Sequence, residues 1–439
     1  MLTVATGIVL AVLDGSIANV ALPTIARDLR ADPASSVWVV NAYQIAITVS
    51  LLPMASLGEI GGYRRVYRAG VALFALASLG CALAPSLTAL ASWRVLQGFG
   101  AAGIMGVNAA LLRFIFPRAM LGRGIAINAM VVAVSSAVGP SVAAAVLSLG
   151  SWPWLFAINV PLGALALVGA FATLPDTPRG THRFDAAGAA LNAGFLGLLV
   201  FAAAGTGRML GTGEATAILL VALGCGAVLV RRSLNQHAPL LPVDLLRIPV
   251  FALSICSSVA SFAAQMLSYV FLPFFLEETL GRSAVRAGLL LTAWPLALAA
   301  VAPVAGRLAD RRDAGLLGGV GMAVMAAGLL SLWALPPRPG DFDLAWRLAV
   351  CGIGFGLFQT PNNRTMLHAA PRNRAGGASG MLATARLVGQ TLGAAAAAGL
   401  FALHGGRATH GSLLLAAAVA AVAAGLSLTR LGRATPVRG

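Results

Sequence analysis

The sequence predicts an all-α integral membrane protein of fourteen transmembrane helices, built as two six-helix bundles with a two-helix insertion between them. Three observations carry that fold class. Apolar residues make up 59% of the 439-residue chain and charged residues only 10%, where a soluble domain carries about 25% charged. The apolar residues fall in repeated runs of about twenty, the length of helix that crosses a hydrocarbon core. The third observation is an internal repeat. Glu59 with Arg64 and Arg65 follows the second run, and Asp310 with Arg311 and Arg312 follows the second run of the last six. Lipid offers no partner to an open backbone, so each run must close its own hydrogen bonds as a helix.

Taken in order, the first six spans are expected at 2–24, 36–57, 67–84, 89–110, 122–147 and 153–174, an N-terminal bundle over 1–174. Breakers punctuate them: the charged stretch after Pro23, the glycines Gly58, Gly61 and Gly62, then Pro85, Pro117 and Pro153. Spans at 185–205 and 214–230 follow, within an insertion over 175–247 whose linkers, Pro175–Asp185 and Arg231–Pro249, are polar and carry proline. With only Asn192 and Thr216 as polar side chains, these two helices have little with which to line a pathway, so they read as peripheral. The last six spans, near 248–275, 285–306, 315–335, 344–366, 377–402 and 411–428, form a C-terminal bundle with a short tail over 248–439.

The net charge of +16 invites a nucleic-acid reading that its distribution rejects. All 30 basic residues are arginines: 20 lie in alternate loops and the tail, 8 in the intervening loops, and 2, Arg94 and Arg386, inside helices. This asymmetry is the positive-inside pattern and places both termini in the cytoplasm of a multi-pass protein of the bacterial inner membrane. Without lysine there can be no Walker A phosphate loop and no Schiff-base lysine. Energy for transport must then come from an ion gradient or a separate ATPase. Cys81, Cys225, Cys256 and Cys351 stand singly in apolar segments, with neither disulfide nor metal-ligand spacing. No cofactor is expected, and the sequence gives no sign of a periplasmic adaptor.

Asp14 is the one acid of the fourteen placed deep inside a span. A carboxylate near the bilayer centre costs roughly 2.5–3.5 kcal/mol on insertion scales, so its default reading is function. Burial works against its charged form, which suits it to take up and release protons. Arg94, at a similar depth, would make proton binding responsive to conformation; the bland alternative is an arginine snorkelling to the surface. Arg386 starts within reach of the cytoplasmic side, so snorkelling or structural pairing competes with a substrate contact. Gln265 and Gln359 could line a cavity, although interhelical hydrogen bonding is the commoner use of such residues.

The stretch Leu13-Asp14-Gly15-Ser16-Ile17-Ala18-Asn19-Val20-Ala21-Leu22-Pro23 resembles the first-helix signature L-D-x-T-I-V-N-V-A-L-P of the fourteen-span drug:proton antiporters of the major facilitator superfamily. Arg94-Val95-Leu96-Gln97-Gly98 resembles that family's R-x-x-Q-G motif. The loop from Ala55 to Arg65 resembles the superfamily's G-x-L-A-D-R-x-G-R-R pattern, with Glu59 at the aspartate position and Gly62, Arg64 and Arg65 retained. Ser135 to Ala144 resembles the exporter motif G-x-x-x-G-P-x-x-G-G, keeping Gly139 and Pro140 but replacing three other glycines. Trp152 to Gly163 is also similar to the fourteen-span group. The resemblance implies coupling at Asp14 and Arg94, a pathway near Asn19 and Gln97, gating by Glu59, Arg64 and Arg65, and a hinge at Gly139 and Pro140. The internal repeat extends the gating expectation to Asp310 and Arg311, and the intramembrane polar residues Gln265, Gln359 and Arg386 complete the candidate substrate cavity.

Gly98-Phe99-Gly100-Ala101-Ala102-Gly103 matches the dinucleotide fingerprint by letter, but it sits inside an apolar helix, where it reads as a packing face. The expected function is proton-driven export of small amphipathic or aromatic compounds by alternating access. A proton symporter importing a nutrient on the same scaffold is the alternative; a membrane enzyme or receptor lacks a catalytic cluster or a soluble domain. A cationic cargo would lean on Asp14, or on Glu277 and Glu278 at the outer mouth. Coupling of this kind requires Asp14 to face a central opening, and neither lipid nor a sealed interior.

Overall fold

The structure is a computed structural model that describes residues 1–117, 120–177, 179–180, 184–205, 211–235, 242–336, 338–371, 375–403 and 411–431. The tail beyond residue 431 and parts of both expected linkers lie outside the described residues. Among the described residues all regular structure is helical. In chain order the helices are α1 (Leu2–Asp28), α2 (Pro33–Ser36), α3 (Trp38–Gly61), α4 (Tyr63–Ala82), α5 (Leu87–Ile115), α6 (Leu121–Leu149), α7 (Pro153–Ala157), α8 (Asn159–Thr173) and α9 (Ala186–Gly205). They continue with α10 (Thr212–Leu234), α11 (Pro249–Phe274), α12 (Ala284–Leu291), α13 (Ala293–Leu308), α14 (Ala314–Trp333), α15 (Asp341–Ala369), α16 (Ala375–Leu403) and α17 (Gly411–Leu428). Among the described residues twelve segments are long and apolar enough to cross a membrane; α9 and α15 pack beside them.

Local chemistry sets the ends. Asp32 accepts from the Ser35 N–H at 2.9 Å and Pro33 begins α2, while Ser86 caps α5 and Asp313 caps α14. Gly62, at φ +96°, takes a conformation that L side chains rarely adopt and turns the chain from α3 into α4. Prolines inside α1, α3, α6, α11, α13 and α15 do not end those helices; in two of them a neighbouring helix reaches the freed carbonyl, Asn192 donating to that of Val49 at 3.1 Å and Ser16 to that of Ser136 at 3.4 Å.

The repeat seen in the loops extends into the packing. A Cβ on Gly100 of α5 would sit 2.6 Å from the backbone nitrogen of Phe74 on α4, and one on Gly98 would sit 2.7 Å from the Tyr43 carbonyl on α3. In the second half, a Cβ on Gly321 of α14 would sit 2.6 Å from the Gly354 carbonyl of α15, and Gly352 lies against the Trp294 carbonyl of α13. The glycine-rich stretch is thus a close-packing face and not a nucleotide loop. Counting back from the paired glycines, Leu348 stands where Arg94 stands, and Cys351 where Gln97 stands; both are fully buried. The halves share a frame and differ in charge.

The halves meet along α1 with α11, α3 with α16, and α6 with α12 and α13. Toward the Arg27 end one apolar cluster runs through both, from Leu13, Val20 and Phe156 to Phe271, Trp294 and Phe401. Toward the Gly62 end the core divides into separate groups, one around Tyr67, Ile104 and Leu111 and one around Phe251, Met366 and Met381. Helix α9 bridges α3 and α16, and α10 leans on α9.

Candidate transport site

Asp14 lies near the middle of α1, about 18 Å from Leu2 and about 21 Å from Asp28 at the rise of an α-helix. Its side chain is 1% exposed, and Arg94 of α5, 0% exposed, is ion-paired to its Oδ2. Oδ1 accepts from Gln97 Nε2 at 2.8 Å and from Asn159 Nδ2 of α8 at 2.8 Å. Three N–H donors from two helices therefore converge on one carboxylate. Arg94 is itself fixed: Nε donates to the Val39 carbonyl at 3.0 Å, Nη1 to Gln97 Oε1 at 2.7 Å, and its guanidinium lies 4.0 Å over the Tyr43 ring. Tyr43 closes the circle by donating its hydroxyl to the Ala11 carbonyl at 2.8 Å, and Gln97 donates to Ser78 Oγ of α4 at 2.8 Å. Helices α1, α3, α4, α5 and α8 are tied through this network.

The arrangement brings Asp14, Arg94 and Gln97 together as the spacing suggests, with Arg94 buried on the acid and not snorkelling, and it changes two expectations. Gln97, expected in the cavity, is fully buried and spends its amide on Asp14 and Ser78. Asp14 faces neither lipid nor a passage: it is sealed within the first half, because the carboxylate offers its best hydrogen bonds to donors packed around it. Tyr43 belongs to the network as a ring stacked on a cation, and Asn159 and Ser78 belong to it too, two residues that sequence reasoning passed over. The signal for Asn159 was a lone amide in an apolar run, inside the Trp152 to Gly163 stretch.

The other expected residues divide between the ends. Arg64 pairs with Asp176 at 2.8 Å, and Asp310 pairs with Arg364, so each of these contacts stays within its own half. Glu59, Arg65 and Arg311 are exposed at the same end. Gly139 meets Ser16 of α1, and a Cβ on Gly288 of α12 would sit 2.9 Å from the Pro140 carbonyl, which puts the expected hinge at the contact between halves. At the opposite end Arg27 donates to Glu277 Oε2 at 2.7 Å across the two halves. Glu277 is buried, with Oε1 unpartnered, on a π-helical turn (Phe275–Thr279) that continues α11. It is therefore enclosed against Arg27 and does not stand at an open mouth. Asn19 reaches Met266 Sδ of α11 at 3.9 Å, and Gln265 bonds Tyr269. Gln359 and Arg386 are half-buried.

Comparison with known proteins places this geometry. A family model described as Major Facilitator Superfamily matches residues 4–394 and 253–438. The uncharacterized transporter YebQ of Escherichia coli (strain K12) is 55% identical over 435 residues, covering 98% of this chain and 95% of that protein. The riboflavin transporter RibZ of Clostridioides difficile (strain 630) is 30% identical over 92% of this chain and 88% of its own length. The multidrug resistance protein Stp of Mycobacterium tuberculosis (strain ATCC 25618 / H37Rv) is 32% identical over 88% of this chain and 72% of its own length.

Proposed function

Because the chain belongs to the major facilitator superfamily, we propose that it is a proton-coupled exporter of small amphipathic or aromatic compounds in the bacterial inner membrane. The observation that carries this reading is the ion pair of Asp14 with Arg94, at mid-depth and held by three other side chains, those of Gln97, Asn159 and Tyr43. An ionised carboxylate only accepts hydrogen bonds, whereas a protonated one carries a donor of its own. A proton on Oδ2 would point at the Arg94 N–H, two donors facing each other, and would release the arginine from α1. Protonation is thereby converted into a loosening of α1 from α5 and α3, the kind of local charge change that biases a two-state fold.

Asp14 is enclosed in this conformation, so the cycle needs a second one that opens it to water. With both termini in the cytoplasm, the Arg27 end faces the periplasm and the conformation described is closed outside and divided inside. In this reading the chain crosses fourteen times, α9 and α15 included, and the α9–α10 pair is the insertion between two six-helix bundles. Outward opening breaks the Arg27–Glu277 latch, admits a periplasmic proton to Asp14 and releases cargo. Rocking about the Gly139–Pro140 contact then returns the proton to the cytoplasm. No bound cofactor takes part.

Export is supported by the likeness to Stp and by the retained Gly139-Pro140 pair. The likeness to RibZ favours a second reading, a carrier for a nutrient. Oriented vesicles separate the two: accumulation driven by an inside-acid gradient in right-side-in assays supports export, and accumulation only with the gradient reversed supports uptake. Loss of gradient-driven transport in Asp14→Asn is expected under either; a wild-type rate in that variant removes the coupling role.

A further inference from the structure

Arg386 is the one arginine within the membrane-crossing core that has no acidic partner among the described residues. It lies about 16 Å along α16 from Ala375, too deep for ready escape to the surface. Its Nε is buried and makes no hydrogen bond. An unpaired guanidinium in that setting is costly, so the site is built for something that arrives.

Its direction follows from its neighbours on α16. Leu387 joins the cluster of Tyr43, Ile47 and Leu51, and Thr391 meets Thr48 at 3.0 Å, so that face abuts α3. Gly389 and Gly393 lie against the Val259 and Ala263 backbone of α11. At 100° per residue Arg386 falls on the shorter arc between these two contacts. Helices α1, α3, α16 and α11 each pack on the next, closing a four-membered ring with two members from each half, and the position of Arg386 on α16 faces the inside of that ring. Ser379, seven residues earlier on the same face, is exposed, which continues the stripe toward the divided Gly62 end. Gln390, four residues later, is half-buried and carries no side-chain hydrogen bond among the described residues. Asn19 and Gln265 stand on the α1 and α11 sides of the ring.

The charge balance there is one-sided. Of all the acids only Asp14 lies at comparable depth, and its carboxylate is already saturated by Arg94, Gln97 and Asn159. The field inside the ring is positive. We propose that Arg386 is the anchor for a negatively charged group on the cargo, making the transported compounds small organic anions held by their oxyanion. A guanidinium fork suits a carboxylate or sulfonate in two-point contact, and the flanking amides of Gln390 and Gln265 suit the polar remainder. This rests on the transport reading above but not on its direction or its proton coupling.

The test is binding to the full-length purified protein in nanodiscs, with three probes on one scaffold: 1-pyrenebutanoate, 1-pyrenebutanamide and 1-pyrenebutyl-trimethylammonium. The parent is expected to favour the butanoate. Arg386→Gln should weaken butanoate roughly ten- to hundredfold and leave the amide unchanged, while Arg386→Lys should keep part of the preference. A parent that binds the amide or the ammonium as tightly overturns the assignment. So does an Arg386→Gln protein, monodisperse and with parental melting temperature, that loses all three probes alike. Anion preference with no proton-driven transport in the parent would defeat the exporter reading alone.

Discussion

The side-chain amide of Asn159 donates to Oδ1 of Asp14 at 2.8 Å, across 145 residues of chain, and shares that oxygen with Gln97. The Asp14 carboxylate is therefore held from α8 as well as from α5. Its environment is complete without any contribution from the second half.

Completeness makes Asp14 structural as well as functional. Asp14→Asn leaves Arg94 buried without a counter-ion, and breaking a buried pair from one side costs about 3–5 kcal/mol. The single variant should melt well below the parent, and Asp14→Asn with Arg94→Gln should recover most of the loss. Neither should transport against a gradient. Thermal unfolding of the three proteins in one detergent checks the first claim and vesicle assays the second; a single variant as stable as the parent contradicts the network's energetics.

Arg27 and Glu277 hold the halves together at one end. Arg27→Gln would leave a buried carboxylate with neither oxygen paired, so the population should shift toward the conformation open at that end. Spin labels near the ends of α1 and α11 should report a longer distance, reverting when Glu277→Gln is added. An unchanged distance distribution would show that apolar packing alone keeps that end shut.

Gly100 and Gly354 make equivalent contacts in the two halves. Gly100→Leu and Gly354→Leu should each drive α4 from α5, or α14 from α15, and abolish monodisperse protein in size-exclusion chromatography. Gly425 has open space where a side chain would go, and Gly425→Ala should be silent.

Arg430, just past α17, donates to Ser254 Oγ at 2.7 Å and to Asn362 Oδ1 at 2.6 Å, and reaches Ser427. Burial pushes its pKa down to about 10. A base with a lowered folded-state pKa opposes folding while charged in both states, and that opposition lifts only as pH climbs past 10. The melting difference between the parent and Arg430→Gln should be flat from pH 6 to 8 and should move in the parent's favour above 10. The variant strands Asn362, at about 1–3 kcal/mol. A slope near neutrality would mean another group titrates.

Charge in an apolar run is conspicuous, which is why Asp14, Arg94 and the helical architecture could be read from the residues. Asn159 and Ser78 could not, because small polar side chains in a span serve many purposes and their partner is fixed only by tertiary packing. Gln97 was placed in the cavity for the same reason; its neighbour three residues back on the helix gave the face but not what the face meets. Glu277 and Arg27 stand 250 residues apart, and nothing local announces that their helix ends touch. The closed interior around Asp14 is likewise a product of five helices at once.

A single deep carboxyl also sets the electrical size of the proposed turnover. Were one proton to enter against one departing monoanion, two charges would move in the same sense, so a 100 mV potential would contribute about 4.6 kcal/mol, twice the value for one charge. Neutral cargo would halve the current and a monovalent cation would cancel it. Recordings on solid-supported membranes would then read the sign of the cargo directly from the transient, before any compound is identified.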